Sequence, residues 1–423
     1  MERSNQNRVS IWEPLKIRNF LLLFIGENIS VFGDQLYLVA LPWLTIELTN
    51  SGLSLGTVLM AAAIPRAIFI LVGGAISDRI SPRLVMLVAN ILRTLLTIVL
   101  TLIVWNQATQ LWHLYLFSIC FGTLDGFFIP AVQSIIPRIV KKEQLTASNA
   151  LSQGTNQLIL LIGPALGGLL IAISGIKMAF AIDAVTFIFS IATLSLMKVS
   201  SNFNIVSKIK ETNTKNKSLS KEILGLITGV REGLKYGWSN LALRTILLVV
   251  MVYNLIFIGP LRIGFASLAH SRFLGGAVAL GIMNSAWGGG NLLGALMPSL
   301  LRNPLRIGTL LLILGGIQGS GLFILGFAPN IILASLIIVL LGFCSGFFVV
   351  TEITWIQKQT PPEILGRVTS FVMLSSFGIA PFSFAIAGLL VNLDLTILFT
   401  VTGSIILFMI ALLAVNPSVR KIE

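Results

Sequence analysis

The sequence predicts an all-α polytopic membrane protein, with twelve transmembrane helices divided into two six-helix halves. Three observations carry that expectation. Of the 423 residues, 55% are hydrophobic and only 11% charged, and the mean hydropathy is +0.93, a balance foreign to ordinary soluble domains. Apolar segments of about 20 residues, the length that crosses a bilayer core of ~30 Å, follow one another along the chain. The basic residues divide unequally between alternate loops.

The predicted spans are 20–43, 54–76, 84–105, 112–136, 147–173, 177–197, 241–266, 276–301, 305–327, 331–356, 365–391 and 393–415. Residues 1–17 are polar and lack an apolar core, so the first span is expected to act as its own insertion signal. After the sixth span comes a polar, Lys-rich stretch that reads as a cytoplasmic linker. Within it "KEILGLITGVREGLKY" can form an amphipathic surface helix. The domain plan is therefore a first half over 1–199, a linker over 200–240 and a second half over 241–423. The linker shows no Walker-type phosphate loop and no His/Glu metal spacing, so no fused catalytic domain, cofactor or metal is expected. At an offset of 220 residues Leu145 falls on Leu365, and Gly167–Leu170 falls on Ala387–Leu390. That weak echo of span 5 in span 11 agrees with two parallel repeats around a midplane site.

The net charge of +13 would suit nucleic acid, but its placement argues for membrane topology instead. Of 29 Lys and Arg, 23 lie at the termini and on the loops of one side, against Lys177 and Arg272 on the other. This is the positive-inside pattern, and it puts both termini in the cytoplasm of a cell whose inner membrane the chain crosses. Cys120 and Cys344 fall inside spans 4 and 10, where small apolar packing residues are expected rather than a disulfide.

Between spans 2 and 3 the chain reads "GGAISDRISPRL", and Gly74, Asp78, Arg79 and Arg83 resemble the loop 2–3 signature of the major facilitator superfamily, with Ser81 where the family usually has Gly. "GPALGG", Gly163–Gly168, is similar to the Gly-Pro motif of the superfamily's antiporters, although Ile159 replaces an earlier family Gly. "FFIPAVQSIIPRIVKKEQLTASNAL", "AIDAVTFIFSIATL" and "PPEILGRV" are similar to the bacterial branch of macrolide-efflux proteins and the enterobactin exporter. The resemblance covers essentially the whole chain and implies the major facilitator fold, alternating access and efflux.

It also implies a cytoplasmic latch. Asp78 would face the N-terminus of span 11 near Gly366 and pair with Arg79, Arg83 or Arg367; the alternative is that the arginines only enforce topology. Spans 5 and 8 meet across the halves in the family. The faces Gly163/Gly167 and Gly290/Gly294 would then form a sliding surface, the alternative being tight packing within one half. Pro164 removes a backbone donor in mid-helix beside Gly167 and Gly168.

Leaving aside edge residues such as Arg244 and Asp394, eight ionisable residues lie within the spans: Glu27, Asp34, Arg66, Arg93, Asp125, Asp183, Arg262 and Glu352. Each costs at least ~2.5 kcal/mol at a helix centre unless it meets a cavity or a partner. Glu27 and Asp34 are seven residues apart, on one helix face and about 10 Å apart in rise. Spans 1, 4, 7 and 10 line the cavity in the family, which implies that Glu27, Asp34, Asp125 and Glu352 face it. Arg93 and Asp183, on neighbouring peripheral spans, are expected to form a structural pair. Arg262 and Glu352 lie toward span ends and can reach water. Asp34 lies deepest, and a carboxylate held out of water there can load and release a proton as the cavity alternates. Arg66, at similar depth, is its expected counter-ion; a permanent pair would make Asp34 structural instead.

The function expected is proton-coupled efflux, by a monomer, of an amphipathic organic compound such as a drug, macrolide, siderophore or natural product. A lysophospholipid flippase of the same fold is the alternative, on the phrase Phe32–Asp34 with Arg66 for the headgroup. A transport-inactive membrane sensor is the other. Enzymatic activity is not expected, since His113 and His270 lie away from mid-membrane and no nucleophile–base arrangement is readable.

Overall fold

In a computed structural model the described residues are 10–198, 241–300, 306–360, 368, 372 and 376–415, without the side chains of Leu71, Ala75, Ser77, Asp78, Arg79, Leu241–Leu243, Thr245 and Ile246. The linker and its amphipathic segment, Leu365, Gly366, Arg367 and most of "PPEILGRV" lie outside them, as do the side chains of Asp78 and Arg79 in the expected latch.

The described chain is helical, and no strand occurs in it. The first six helices are α1 Arg18–Thr49, α2 Gly52–Arg79, α3 Pro82–Trp105, α4 Leu111–Ile139, α5 Leu145–Ser174 and α6 Ile176–Leu196. Helix α7 comprises Leu241–Gly259, a π-helical segment Pro260–Gly264 and a last stretch Phe265–Ser271. Then follow α8 Gly276–Leu300, α9 Ile307–Leu325, α10 Ile331–Gln359, α11 Ala380–Leu393 and α12 Leu395–Val415. By length and composition ten of the described helices can cross a membrane. The other two of the expected twelve fall short of that measure. Helix α8 is diluted by "NSAWGGGN", and α11 has 14 described residues.

Local chemistry sets several ends. Asn50 takes the left-handed conformation (φ 49°) that closes α1, and the Ser51 hydroxyl then accepts the Ser54 amide at 3.2 Å to begin α2. Pro82 opens α3, where a missing N–H costs nothing. Gly175, at φ +81°, separates α5 from α6.

The outward faces are apolar, with Leu95, Ile173, Leu336 and Phe408 exposed to what would be lipid. The core runs from Leu36 and Phe180 through Phe265 and Met283 to Leu341 and Phe399. Packing repeats with an offset of six helices: α2 on α4 matches α8 on α10, α3 on α6 matches α9 on α12, and α1 on α5 matches α7 on α11. The two halves join through α5 on α8 and α11 on α2, which exchange under the same offset.

At both joints glycine meets glycine. A Cβ on Gly168 would stand 3.1 Å from the Gly281 Cα, and one on Gly56 would stand 3.1 Å from the Gly388 Cα. Gly168 and Gly388 are the residues that the 220-residue echo superposes, so that echo marks a structural equivalence.

The small-residue faces divide otherwise than expected. Gly163 and Gly167 pack on Gln35 and Leu36 of α1, within the first half, and Gly290 and Gly294 pack on Val339 and Phe343 of α10, within the second. The cross-half contacts fall instead to Pro164, Gly168, Gly281 and Gly288. Residues four apart share a face and Gly168 is turned about 100° from Gly167, so the two motifs serve different neighbours.

Candidate functional site: a buried charge cluster in the first half

Six charged residues of the first six helices, Glu27, Asp34, Arg66, Arg93, Asp125 and Asp183, converge. Helices α2 and α4 lie close because Gly122 sits on Ala62 and Gly126 on Phe69 and Ile70, with backbone approaching backbone. Arg66 occupies the α2 face between Ala62 and Phe69, opposite Asp125, and donates Nη2 to Asp125 Oδ2. From α3, Arg93 donates its Nη2 to Asp125 Oδ1. One carboxylate thus bridges two guanidinium groups, each by one charge-assisted bond. Arg93 is 3% exposed at the side chain. It lies over the Phe128 ring at 4.2 Å and near the Phe187 ring at 5.7 Å, so the aromatic faces supply part of its solvation.

Two expected pairs are therefore replaced. Arg66 is the partner of Asp125 and not of Asp34, because the glycine contacts press α2 against α4. Arg93 pairs with Asp125 and not with Asp183, because Asp183 faces α1 instead. A Cβ on Gly33 would lie 2.6 Å from Asp183 Oδ1, and Thr186 Oγ1 is nearer still. The Thr186 hydroxyl is committed to the Asp183 backbone carbonyl at 2.7 Å. Both Asp183 carboxylate oxygens are buried without a hydrogen-bond partner among the described residues.

Asp34 is half-buried on α1, and among the described residues no hydrogen bond or ion pair engages it. It lies within electrostatic reach of Arg93, Asp125 and Arg66, and Asp183 lies within its own. Glu27, two turns earlier, feels Asp34 and Arg93 and keeps a buried Oε2 without a partner. The cluster holds four carboxylates and two cations, and only Asp125 is directly paired.

Second-half residues play a different part. Glu352 does not reach water: it is 5% exposed and its Oε1 is buried without a partner, since α10 continues for seven residues beyond it. Arg262 is exposed and sits in the π-helical segment of α7, within electrostatic reach of Arg66. That segment forms where Pro260 lacks an N–H and the Gly259 amide is drawn across to Ser383 Oγ of α11, at 2.7 Å. Tyr253, Phe257 and Trp287 make an aromatic run, with centroids 4.6 and 5.5 Å apart.

Arg83, of the loop 2–3 motif, donates to the Leu194 and Ser195 carbonyls at 2.7 and 2.8 Å. It caps the open carbonyl end of α6.

At the face opposite the termini the halves are tied by contacts that no sequence motif announced. His270 Nε2 lies 2.9 Å from Asn50 Oδ1, and Trp43 meets both the His270 ring and Gly276. Deeper, Ala165 donates its amide to Ser285 Oγ at 2.9 Å between α5 and α8. Only Pro164, which loosens the α5 ladder next to Ala165, could have hinted at it.

A charged, glycine-jointed bundle of two like-packed halves is the architecture of a multi-pass transporter, and solved structures agree on the fold. A mutant of the nucleoside transporter NupG superposes with a TM-score of 0.74 at 14% identity, over 93% of this chain and 99% of that one. A peptide transporter POT mutant in complex with alafosfalin gives 0.73 at 14% identity, over 98% and 97%. The family model for transmembrane secretion effectors matches residues 9–423, and the chain belongs to that family of the major facilitator superfamily. Among its relatives, macrolide efflux protein A of Streptococcus pyogenes is 24% identical over 83% of this chain and 84% of its own length. The multidrug efflux pump Tap of Mycolicibacterium fortuitum is 22% identical over 87% and 88%.

Proposed function

We propose that the chain exports an amphipathic organic compound of the drug, macrolide, siderophore or natural-product class across a bacterial inner membrane, in exchange for protons, with both termini in the cytoplasm. The observation that carries this reading is Asp34. It stands beside Arg66 and Arg93, each already engaged by Asp125, and no hydrogen bond or ion pair among the described residues ties Asp34 itself to either, so a proton can come and go. The efflux names of its relatives supply the direction and the cargo class.

Asp78, Arg79 and Arg367, turning about Gly74, act in this reading as a latch on the terminal face. The tie of His270 to Asn50 closes the other face in the conformation described. Glu27 holds a secondary place on the proton path, and the aromatic run on α7 and α8 offers the cargo an apolar, stacking wall.

The test is uphill transport in proteoliposomes. A macrolide and a lysophospholipid are each offered under an imposed proton gradient, with proton flux recorded in parallel. Gradient-driven macrolide movement with countermoving protons is the expected result. Movement of the lysolipid alone would make the chain a lipid flippase, and binding without flux would make it a sensor.

A further inference from the structure

Arg93 and Asp183 are both buried, and both keep hydrogen-bonding capacity unused. Arg93 Nε and Nη1 have no acceptor among the described residues, although its Nη2 binds Asp125. Asp183 is 0% exposed, and among the described residues neither carboxylate oxygen has a hydrogen-bond donor. An ionised carboxylate in apolar surroundings without a donor is among the costliest arrangements in a protein, whereas the neutral acid is tolerated. Helix α6 contacts α1, α3 and α5. The charged and titratable groups turned toward Asp183 are Asp34 and Tyr37 from α1 and Arg93 from α3, with Glu27, Asp125 and Arg66 near Arg93. Helix α5 has no charged residue at all. Within this set Arg93 can satisfy Asp125 or Asp183. When it turns away, Asp125 keeps Arg66, so neither arrangement strands a carboxylate.

We propose that Asp183 is a second proton-holding carboxyl of the transporter, neutral while Arg93 is bound to Asp125 and ionised when Arg93 moves across to it. In that exchange the O–H bond of Asp183 breaks, an O–H bond forms on the facing Asp34 carboxylate, and the proton passes from there to the cavity. No electron changes hands. Arg93 is thereby a positioning residue, a two-state element read by two carboxylates on different helices. The inference rests on the proton-exchange reading of Asp34 and adds to it a site and a switch.

The experiment is difference infrared spectroscopy of the full chain in lipid, titrated with pH and following the C=O stretch of protonated carboxyl groups. The wild type is expected to show a buried carboxylic acid band that is lost in Asp183→Asn and kept in Glu352→Gln. Asn copies the neutral acid, so Asp183→Asn is expected to fold with an unchanged Tm. In Arg93→Met the Asp183 band is expected to persist but to stop responding to pH, since the cation that ionises it is gone. A band that survives in Asp183→Asn overturns the proposal. So does an Asp183→Asn protein that fails to fold, because it would show that the ionised form is needed. Neither readout requires cargo: a wild type that moves no macrolide would sink the efflux reading and leave the infrared result standing.

Discussion

The first six helices gather Glu27, Asp34, Asp125 and Asp183 around Arg66 and Arg93, while the described part of the last six buries one acid, Glu352, with no ion pair. The helices nevertheless pack by the same plan, and the glycine joints at Gly168 and Gly388 correspond. Architecture has been kept across the repeat and charge has not. A membrane helix holds an ionisable group only against a specific return, so in the proposed reading proton handling falls to the first half and the aromatic run of the second is the wall a cargo would meet.

The sharpest way to break that comparison is Asp34→Asn. It removes a titratable group and keeps size and hydrogen bonding, so proton-driven efflux should fall on the order of 100-fold while cargo binding survives. Transport assays at equal expression decide it. Glu27→Gln should do less, and if the halves share the proton work Glu352→Gln will match Asp34→Asn.

Next in size is Asp125→Asn, which leaves Arg66 and Arg93 without their shared anion. Arg93 is buried and Arg66 about a third exposed, so part of the loss is screened; a destabilisation of about 3 kcal/mol is expected. Glu352→Gln, which has no cation to orphan, should change stability by less than ~1 kcal/mol. Thermal unfolding in detergent compares the two, and equal losses would contradict the asymmetry.

The repeat itself is tested at the glycine joints. Gly168→Val drives its Cβ to 2.4 Å from the Ala277 carbonyl oxygen, a backbone atom that cannot swing away. Gly388→Val approaches Gly52 only to 3.2 Å. Both should hold the halves apart and slow cycling, with about 1–3 kcal/mol of overpacking at the first and less at the second. Cysteine accessibility from either side of the membrane reads the shift. Gly167→Ala, whose Cβ would meet Leu36 of α1 at 3.4 Å, an ordinary contact, should pass nearly unnoticed.

How much of this was legible beforehand follows from what each feature depends on. Apolar length and charge asymmetry are properties of single segments, so the helices and their grouping could be read directly, with α8 the weakest because polar and small residues dilute it. The identity of the buried charges was equally plain. Their pairing was not, since it depends on how glycines set helix distances. Gly122 and Gly126 bring α2 to α4 and so give Arg66 to Asp125, while Gly33 admits Asp183 beside α1. The expectation for Gly163 and Gly167 failed for a related reason: spacing shows that two residues share a face but not which neighbour that face meets. Ser285, Ser383 and Asn50 carry no pattern that would single them out.

The smallest effect concerns the face opposite the termini, where the halves begin helices with different caps. Asp394 accepts the Thr396 and Ile397 amides at 2.6 and 3.3 Å at the start of α12, whereas Gln110 and His113 cap α4 without a carboxylate. Hydrogen bonds from the Thr396 side chain and from these amides hold the Asp394 carboxyl below its ordinary value. Its contribution is therefore complete above the ordinary carboxylate range and is lost as pH falls through the lowered value. Hydrogen-exchange protection of the Thr396 and Ile397 amides should weaken only in that acid window, and Asp394→Asn should remove the pH dependence while keeping an acceptor in place. Because Asp394 is fully exposed, the change should stay within the first turn of α12 and leave global unfolding unmoved. Gln110→Ala should loosen the first turn of α4, with no change that tracks the carboxylate window. A flat profile at Thr396 would show that the cap acts through shape alone, which would extend the likeness of the two halves to their helix ends.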